Sequence, residues 1–167
     1  MIKKTGVVAT AVIAGTVLVA GGHAAYASQP QVPFKATLAG IAAMTSQTTV
    51  SFTGTGIASH MGRITNAGRV VFTGSDPSCP NAIANVNTET LTTNAGDTLT
   101  IVSKDVACPT GPGAFHGTGQ WHVTGGTGRL AGTTGHGTAD GGADFNAGTF
   151  TFTLTGTIAV PNGGWWR

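Results

Sequence analysis

Charged residues are scarce in this chain, and neither sign dominates. Lys and Arg number 8 and Asp and Glu number 6 among 167 residues. If an N-terminal leader containing Lys3 and Lys4 is removed, 8 − 2 = 6 basic residues remain beside the six acidic ones, all scattered. Nucleic acids and anionic membranes select for clustered basic residues. The composition therefore argues against a nucleic-acid partner and against membrane binding or insertion of the mature chain.

Long apolar runs are absent except at the N-terminus. Residues 7–20 form one apolar run, which follows a basic start and is too short to span a bilayer comfortably. Ala25-Tyr26-Ala27 then supplies small residues for a cleavage site. The pattern predicts a secretory signal peptide over residues 1–27, cleaved before Ser28, and a secreted, extracellular protein. The remaining 167 − 27 = 140 residues suffice for one domain with a core.

Cysteine is rare, and its spacing is not that of a redox motif. The two cysteines, Cys79 and Cys108, do not form a CxxC pair. Residues 82–92 and 97–107 read as strands joined by the turn sequence 93–96. In such a hairpin, the numbers of two residues that face each other always add up to about 189. The numbers of Cys79 and Cys108 add up to 187, so these two residues are predicted to lie almost opposite each other. A disulfide there would stabilise the fold by roughly 3–4 kcal/mol.

Helical periodicity is absent after the leader, and 27 glycines would weaken any helix. Alternation takes its place: five threonines between residues 149 and 157 alternate with Phe150, Phe152, Leu154 and other apolar residues or glycine. A period of two is typical of a half-buried β-strand. Similar patterns and the turn sequences between them predict eight strands, at about residues 34–40, 48–60, 62–73, 82–92, 97–107, 113–124, 129–139 and 143–160.

Eight long strands in one small domain favour an all-β fold. We predict a single eight-stranded antiparallel β-barrel, because closure leaves no edge strand to aggregate. A two-sheet β-sandwich is the alternative, and composition alone does not separate the two. The barrel would occupy residues 28–160, and residues 161–167 would form a flexible tail with two tryptophans. The interior of such a barrel is either filled by side chains or holds one small ligand.

Two glycine-rich segments carry a family resemblance. Residues 124–137 read TGGTGRLAGTTGHG, and residues 54–65 read GTGIASHMGRIT. The first resembles the GGTG-R/K-F-x-G-A-x-G motif of the dirigent and allene oxide cyclase-like barrels, with Leu130 in place of the usual Phe. The second resembles a G-x-G-x-A-T-H-L-G-R-F-T stretch of their bacterial secreted relatives. The resemblance favours the barrel and implies that isomerase or cyclase chemistry suits the architecture. No catalytic residue is carried over, because the family's catalytic positions lie outside both segments.

Alternation also predicts which side chains face the interior. Four aromatic residues on apolar faces are expected to line a lumen that binds a small hydrophobic molecule: Phe52, Trp121, Phe150 and Phe152. His116 and His122 fall on the outward face of the Trp121 strand, about 20 Å apart and too far from each other to chelate one metal ion. His136 has no identifiable partner. The sequence therefore predicts no metal site and no cofactor.

His60 and Arg63 are candidate catalytic residues. If the predicted strand 48–60 has no bulge, its even-numbered residues Val50, Phe52 and His60 lie on the same face, which would place His60 near the end of the inward face. One interpretation is a histidine bonded to backbone at the barrel rim, with the arginine paired to a carboxylate. The other is a polar pair at a cavity mouth that orients or protonates a ligand.

Glu89 is the third catalytic candidate and the sole glutamate of the chain. It falls in mid-strand beside two asparagines, so its face is undecided and an exposed position is favoured. A buried position would raise its pKa and suit it to act as an acid. Arg129, in the first glycine-rich segment, is predicted to be a structural tie to loop carbonyls, Asp140 or Asp144.

Three functions are compatible with these patterns. The favoured one is an exported barrel that holds a small hydrophobic molecule in its lumen. The first alternative is an isomerase or cyclase without metal or cofactor, which steers a reactive intermediate. The second is a surface-interaction protein that uses the threonine-rich strand faces. A homo-oligomer is compatible with all three, although no interface patch is legible in the sequence.

Overall fold

A computed structural model describes residues 29–161, and most of these residues lie in β-strands. The elements, in order, are β1 Val32–Ser46, β2 Thr49–Ala58, β3 Gly62–Asp76, β4 Ala82–Thr93, β5 Thr98–Gly111, β6 Ala114–Gly126, a 3-10 helix Gly128–Leu130, β7 Thr134–Asp144 and β8 Thr149–Ala159. The predicted signal peptide and the tail beyond residue 161 lie outside the described residues, and so does the cleavage position before Ser28.

The eight strands close into one antiparallel barrel. Each strand pairs with its neighbours in sequence, and β1 pairs with β8 to complete the ring. The predicted eight-stranded barrel is therefore confirmed, and the β-sandwich is not the fold. In the part of the chain that the structure describes, no helix has the length and apolarity needed to cross a membrane.

Side chains on each strand alternate between the interior and the outer surface. On β8, Phe150, Leu154 and Ile158 are buried, whereas the intervening threonines lie on the outer face. This is the arrangement that the period of two predicts. The threonine hydroxyl groups on this strand therefore face outward, and its apolar side chains point toward the barrel axis.

β7 begins five residues later than the sequence predicts, at Thr134 instead of residue 129. The intervening residues form the end of the 3-10 helix and a turn after it; Gly128, at the start of the helix, has a φ of +58°, and Gly132, in the turn, has a φ of +73°. Such positive φ values are incompatible with an extended strand and are adopted most readily by glycine.

The glycine-rich segment at residues 124–137 joins β6 to β7 and is tied to a neighbouring turn. Arg129 donates its Nε–H to Asp97 Oδ2 at 2.7 Å, and its backbone N–H contacts Asp97 Oδ1 at 3.2 Å. The prediction of a structural tie is right, but Asp140 and Asp144 are the wrong partners. Both lie on β7 toward the opposite end of the barrel, whereas Asp97 lies in the β4–β5 turn beside the 3-10 helix.

Cys79 and Cys108 form the predicted disulfide, with a Cα–Cα distance of 6.1 Å. Paired residues of β4 and β5, such as Leu91 and Leu99, have numbers that sum to 190. The hairpin is therefore centred half a residue beyond the predicted position, and the two cysteines still lie close together. The disulfide ties the β3–β4 connection to the C-terminal part of β5.

The barrel interior has two unlike halves. The plugged half lies at the end that holds the β4–β5 turn and the 3-10 helix, and its interior is filled by large buried side chains. These include Phe34, Leu91, Leu99, Ile101, Trp121, Leu130 and Ile158. The cavity half lies at the other end, which holds the turns that follow β1, β3, β5 and β7, and it encloses the space described next.

Candidate functional site

The cavity half contains a space of about 270 Å³ that is lined mostly by apolar side chains. The wall includes six of the seven phenylalanines of the chain: Phe52, Phe72, Phe115, Phe145, Phe150 and Phe152. Phe52 and Phe150 meet edge to face with ring centroids 5.2 Å apart, which keeps these two rings packed together on one side of the wall. A concave, aromatic-lined space of this kind is the usual form of a small-molecule site.

Phe52, Phe150 and Phe152 line the space, but Trp121 does not. Its side chain points inward as predicted, yet it is only 2% exposed and belongs to the plugged half. The indole Nε1–H donates to the carbonyl of Thr138 at 2.9 Å, and Phe34 packs edge-on against the ring. The expectation that Trp121 lines the ligand-binding space is therefore wrong. Parity gives the direction of a side chain and does not give its depth along the barrel.

Small inward residues create the space. Gly117, Ala139, Gly141 and Ala143 take inward positions on β6 and β7, where the plugged half has larger side chains. A Cβ atom at Gly117 would make only ordinary contacts, the nearest being the Val106 carbonyl oxygen at 3.6 Å. A longer side chain at residue 117 would therefore extend into the cavity.

One side of the interior is polar, and we call this cluster the polar floor. It comprises inward-facing residues of three adjacent strands: Asn66 of β3, Asn85, Asn87 and Glu89 of β4, and Ser103 and Asp105 of β5. Asn85, Asn87 and Asp105 line the cavity directly. Asn66 Nδ2 lies 3.4 Å from Glu89 Oε2, and Ser103 Oγ donates to Asp105 Oδ2 at 2.7 Å.

Glu89 is buried, with 2% of its surface exposed, so the expectation of an exposed glutamate is wrong. The register explains the error. Odd-numbered residues of β4 face inward, and Leu91 follows Glu89 on the same side. Asn85 and Asn87 also face inward on β4. This face therefore looks polar in the sequence, and its inward orientation could not be recognised from the residue types. Burial raises the pKa of Glu89 from its ordinary value of 4.5 to about 7, and the nearby Asp105 carboxyl group adds to the rise, while the Asn66 amide opposes it.

Asp105 is a second acidic group of the interior that the sequence analysis did not single out. Burial raises its pKa, and the hydrogen bond from Ser103 partly offsets that rise. A Cβ atom on the facing Gly119 would collide with Asp105 Oδ1, so the absence of a side chain there gives the carboxyl group its place. Its parity with Leu99 and Ile101 could have revealed its inward position. Asn66 and Ser103 are likewise buried residues of the polar floor that were not predicted as site residues.

His60 and Arg63 lie far from the cavity. β2 ends at Ala58, and His60 follows in the turn with a φ of +64°, so the strand parity no longer applies to it. Its Nε2 lies 3.1 Å from the carbonyl oxygen of Pro33, which is the predicted backbone contact at the rim. Arg63 is exposed on β3. Because the β2–β3 turn lies at the plugged end, the interpretation of these residues as a pair at a cavity mouth is wrong.

The outward histidines stand apart from the cavity as well. His116, His122 and His136 are exposed on β6 and β7, and His116 Nε2 lies 3.4 Å from Asp140 Oδ2. Among residues 29–161, no group of three or more His, Cys, Asp or Glu side chains is arranged to hold a metal ion.

The arrangement thus combines an aromatic wall, a polar floor with two carboxyl groups, and an opening at one end of a rigid barrel. It can enclose a small molecule, orient one polar end of it and exchange a proton with it. The chain matches no protein-family model, no curated protein and no solved structure.

Proposed function

We propose that this protein is an exported β-barrel that binds a small hydrophobic molecule in its lumen. The observation that carries the proposal is the cavity of about 270 Å³ between six phenylalanines and the polar floor. Small-molecule pockets usually have volumes of about 300–1,000 Å³, so a space of this size suits a ligand as small as one substituted aromatic ring. The driving force for binding is the transfer of the ligand's apolar surface from water into the cavity.

Filling the cavity tests the proposal. Gly117→Leu should place a side chain in the lumen, and Thr118→Leu is the matched control because residue 118 lies on the outer face of the same strand. We expect propylbenzene to shift the amide NMR signals of cavity residues in the original protein and in the control. The Gly117→Leu variant should lose at least about tenfold in affinity, equivalent to about 1.4 kcal/mol. Equal binding by all three proteins, or none by any, would contradict the proposal.

Export is part of the same proposal and rests on the leader-like N-terminus and on the disulfide. Stable disulfides form in oxidising compartments such as the extracellular space. N-terminal sequencing of protein recovered from the culture medium should begin at Ser28. Retention of the complete chain inside the cell would contradict export and would leave the cavity proposal intact.

A second candidate is an isomerase or cyclase, and the buried Glu89 supports it. A carboxyl group with a pKa near 7 can donate or accept a proton near neutral pH. The resemblance of the two glycine-rich segments to dirigent and allene oxide cyclase-like barrels points in the same direction. Chemistry of this kind needs little more than confinement and one proton-transfer group.

A generic probe separates binding from proton transfer. 5-Nitrobenzisoxazole opens to a cyanophenolate when a base removes its C3 proton and the ring N–O bond breaks. We expect turnover that follows ionisation of Glu89 as the pH rises through about 7 and that is lost in Glu89→Gln. Equal rates for both proteins would argue against an acid–base role of Glu89 while leaving ligand binding unaffected.

A further inference from the structure

The charge of the lumen has one sign. Glu89 and Asp105 are the acidic side chains of the polar floor, and they are buried and half-buried respectively. No Lys, Arg or His side chain lines the cavity. All basic residues of the described chain lie on the outside: Lys35, Arg63, Arg69, Lys104 and Arg129. The barrel therefore supplies no cation of its own to this pair of carboxyl groups.

The floor also offers more hydrogen-bond acceptors than its own donors use. Within the described residues, Asp105 Oδ1, Asn66 Oδ1 and Asn87 Oδ1 are buried without a hydrogen-bond partner. The side chains of Asn66 and Asn87 are 3% and 5% exposed. Unpaired buried acceptors are costly, and a ligand that brings N–H groups to Asp105 and Asn87, which line the cavity, would remove that cost for these two residues.

The wall opposite the floor suits a cation too. Phe52, Phe150 and Phe152 form a contiguous cluster with ring centroids 5.2 to 6.1 Å apart. Aromatic faces attract ammonium groups through their quadrupole, and the attraction strengthens away from water. An aromatic wall together with an acidic floor is an environment that favours positive charge and disfavours negative charge.

We propose that the ligand of the lumen is a protonated organic amine with a small apolar body, whose N–H groups are directed at Asp105 on the cavity wall, while Glu89 adds negative charge from behind that wall. The inference rests on the proposed function and deepens it by specifying the class of ligand. A carboxylate of the same size would face two buried acidic groups without a counter-ion, so the site excludes it. Burial raises the pKa of both acids, and a bound ammonium group would lower these pKa values.

A series of probes of nearly equal size tests the inference. Propylbenzene, 2-phenylethanol, 2-phenylethylamine and phenylacetate share one aromatic body and differ in the group at the other end. Their dissociation constants are measured with the full chain at pH 8, by calorimetry or NMR titration. We expect the amine to bind about ten- to a hundredfold more tightly than propylbenzene, with the alcohol between them and the carboxylate weakest. When the titration is repeated near pH 7, where Glu89 still holds part of its proton, proton release should accompany binding of the amine.

Variants identify the groups responsible. Asp105→Asn and Glu89→Gln should each reduce the amine's advantage over propylbenzene by about tenfold while leaving propylbenzene binding in place. Retained propylbenzene binding shows that each variant is folded. Asp140→Asn is the matched control, because residue 140 also borders the cavity but its side chain is 64% exposed and lies on the outer face of β7. The control should keep the full preference for the amine.

The outcomes distinguish the two levels of the proposal. If propylbenzene and the alcohol bind but the carboxylate equals or exceeds the amine, the inference is overturned and the lumen remains a hydrophobic site. An alcohol that binds as tightly as the amine also overturns it. If none of the four compounds binds, the proposed function itself fails.

Discussion

The plugged half and the cavity half are built by the same eight strands, yet they differ in what the inward positions hold. β6 contributes Trp121 to the plugged half and Gly117 to the cavity half. β4 contributes Leu91 to the first and Asn87 to the second. The period of two is unbroken through both halves, so the difference lies in side-chain size and polarity alone. One half of this barrel therefore supplies a packed core, and the other half supplies a cavity.

The same division separates stability from function. Buried apolar area is concentrated in the plugged half, where large side chains fill the interior. The cavity half contains unpaired acceptors and two carboxyl groups with raised pKa values, all of which oppose folding. A site that is costly to the fold is a frequent property of binding and catalytic sites.

The largest effect should come from truncating the plugged half. Trp121→Ala removes a fully buried ring and its hydrogen bond to Thr138, and it should lower the free energy of unfolding by about 3–5 kcal/mol. Phe152→Ala, at the cavity wall, enlarges a space that already exists and should cost less than half as much. Urea unfolding of both variants measures the difference. Equal losses would mean that the two halves do not differ in packing.

Removal of the disulfide should affect the cavity half first. Replacing Cys79 and Cys108 with serine opens a loop with a sequence separation of 29 and should cost about 3–4 kcal/mol. Because the bridge ties the β3–β4 connection to β5 at the cavity end, amide exchange should accelerate there before it does around Leu99. Uniform acceleration in both halves would contradict this ordering.

Glu89 should make stability depend on pH in a definite direction. Its pKa is raised in the folded protein, so the folded state retains a proton that the unfolded state has lost between pH 4.5 and about 7. The contribution of Glu89 to the free energy of unfolding should therefore be largest below pH 4.5, fall by about 3 kcal/mol as the pH rises from there through about 7, and then level off.

Glu89→Gln removes this contribution, so its stability should change less across the same range. Asp105, whose pKa is also raised, acts in the same direction and is left in place in this variant. Chemical denaturation at intervals from pH 4 to pH 8.5 makes the comparison, with Asp140→Asn as the outer-face control. A variant whose curve parallels that of the original protein would argue against a protonated Glu89 in the interior.

The smallest effect is expected at the outer surface of the plugged end. Arg63→Gln changes an exposed side chain remote from the cavity and should alter the free energy of unfolding by less than about 0.5 kcal/mol. Affinity for the lumen probes should also stay unchanged. A loss of binding in this variant would restore Arg63 as a site residue and would contradict the division between the two halves.

The sequence predicted directions better than depths. Alternation placed Phe52, Phe150 and Trp121 inward correctly, but only two of these three line the cavity. It also placed His116 and His122 outward correctly. Depth along the axis depends on the stagger between strands and on how far each turn extends, which are properties of the closed barrel.

Polar strand faces were the other source of error. Glu89 lies among asparagines, and a face of Asn and Glu looks like a solvent-exposed face when read from one strand alone. The orientation of β4 is set by its pairing with β3 and β5, whose hydrophobic residues dictate which side faces the core. His60 was misjudged for a related reason, since the turn at residues 59–61 ends the alternation.

The sequence predicted the all-β class, the eight strands, the disulfide and the inward direction of the aromatic rings, because these depend on short-range periodicity and on turn residues, whereas periodicity alone did not separate a barrel from a sandwich. Only the tertiary structure decided that Trp121 plugs one end, that a cavity opens at the other, and that Glu89, Asn66 and Asp105 meet on its floor. These features depend on the stagger of eight strands around a closed ring. Residues more than twenty positions apart become neighbours through that stagger, which no local pattern encodes.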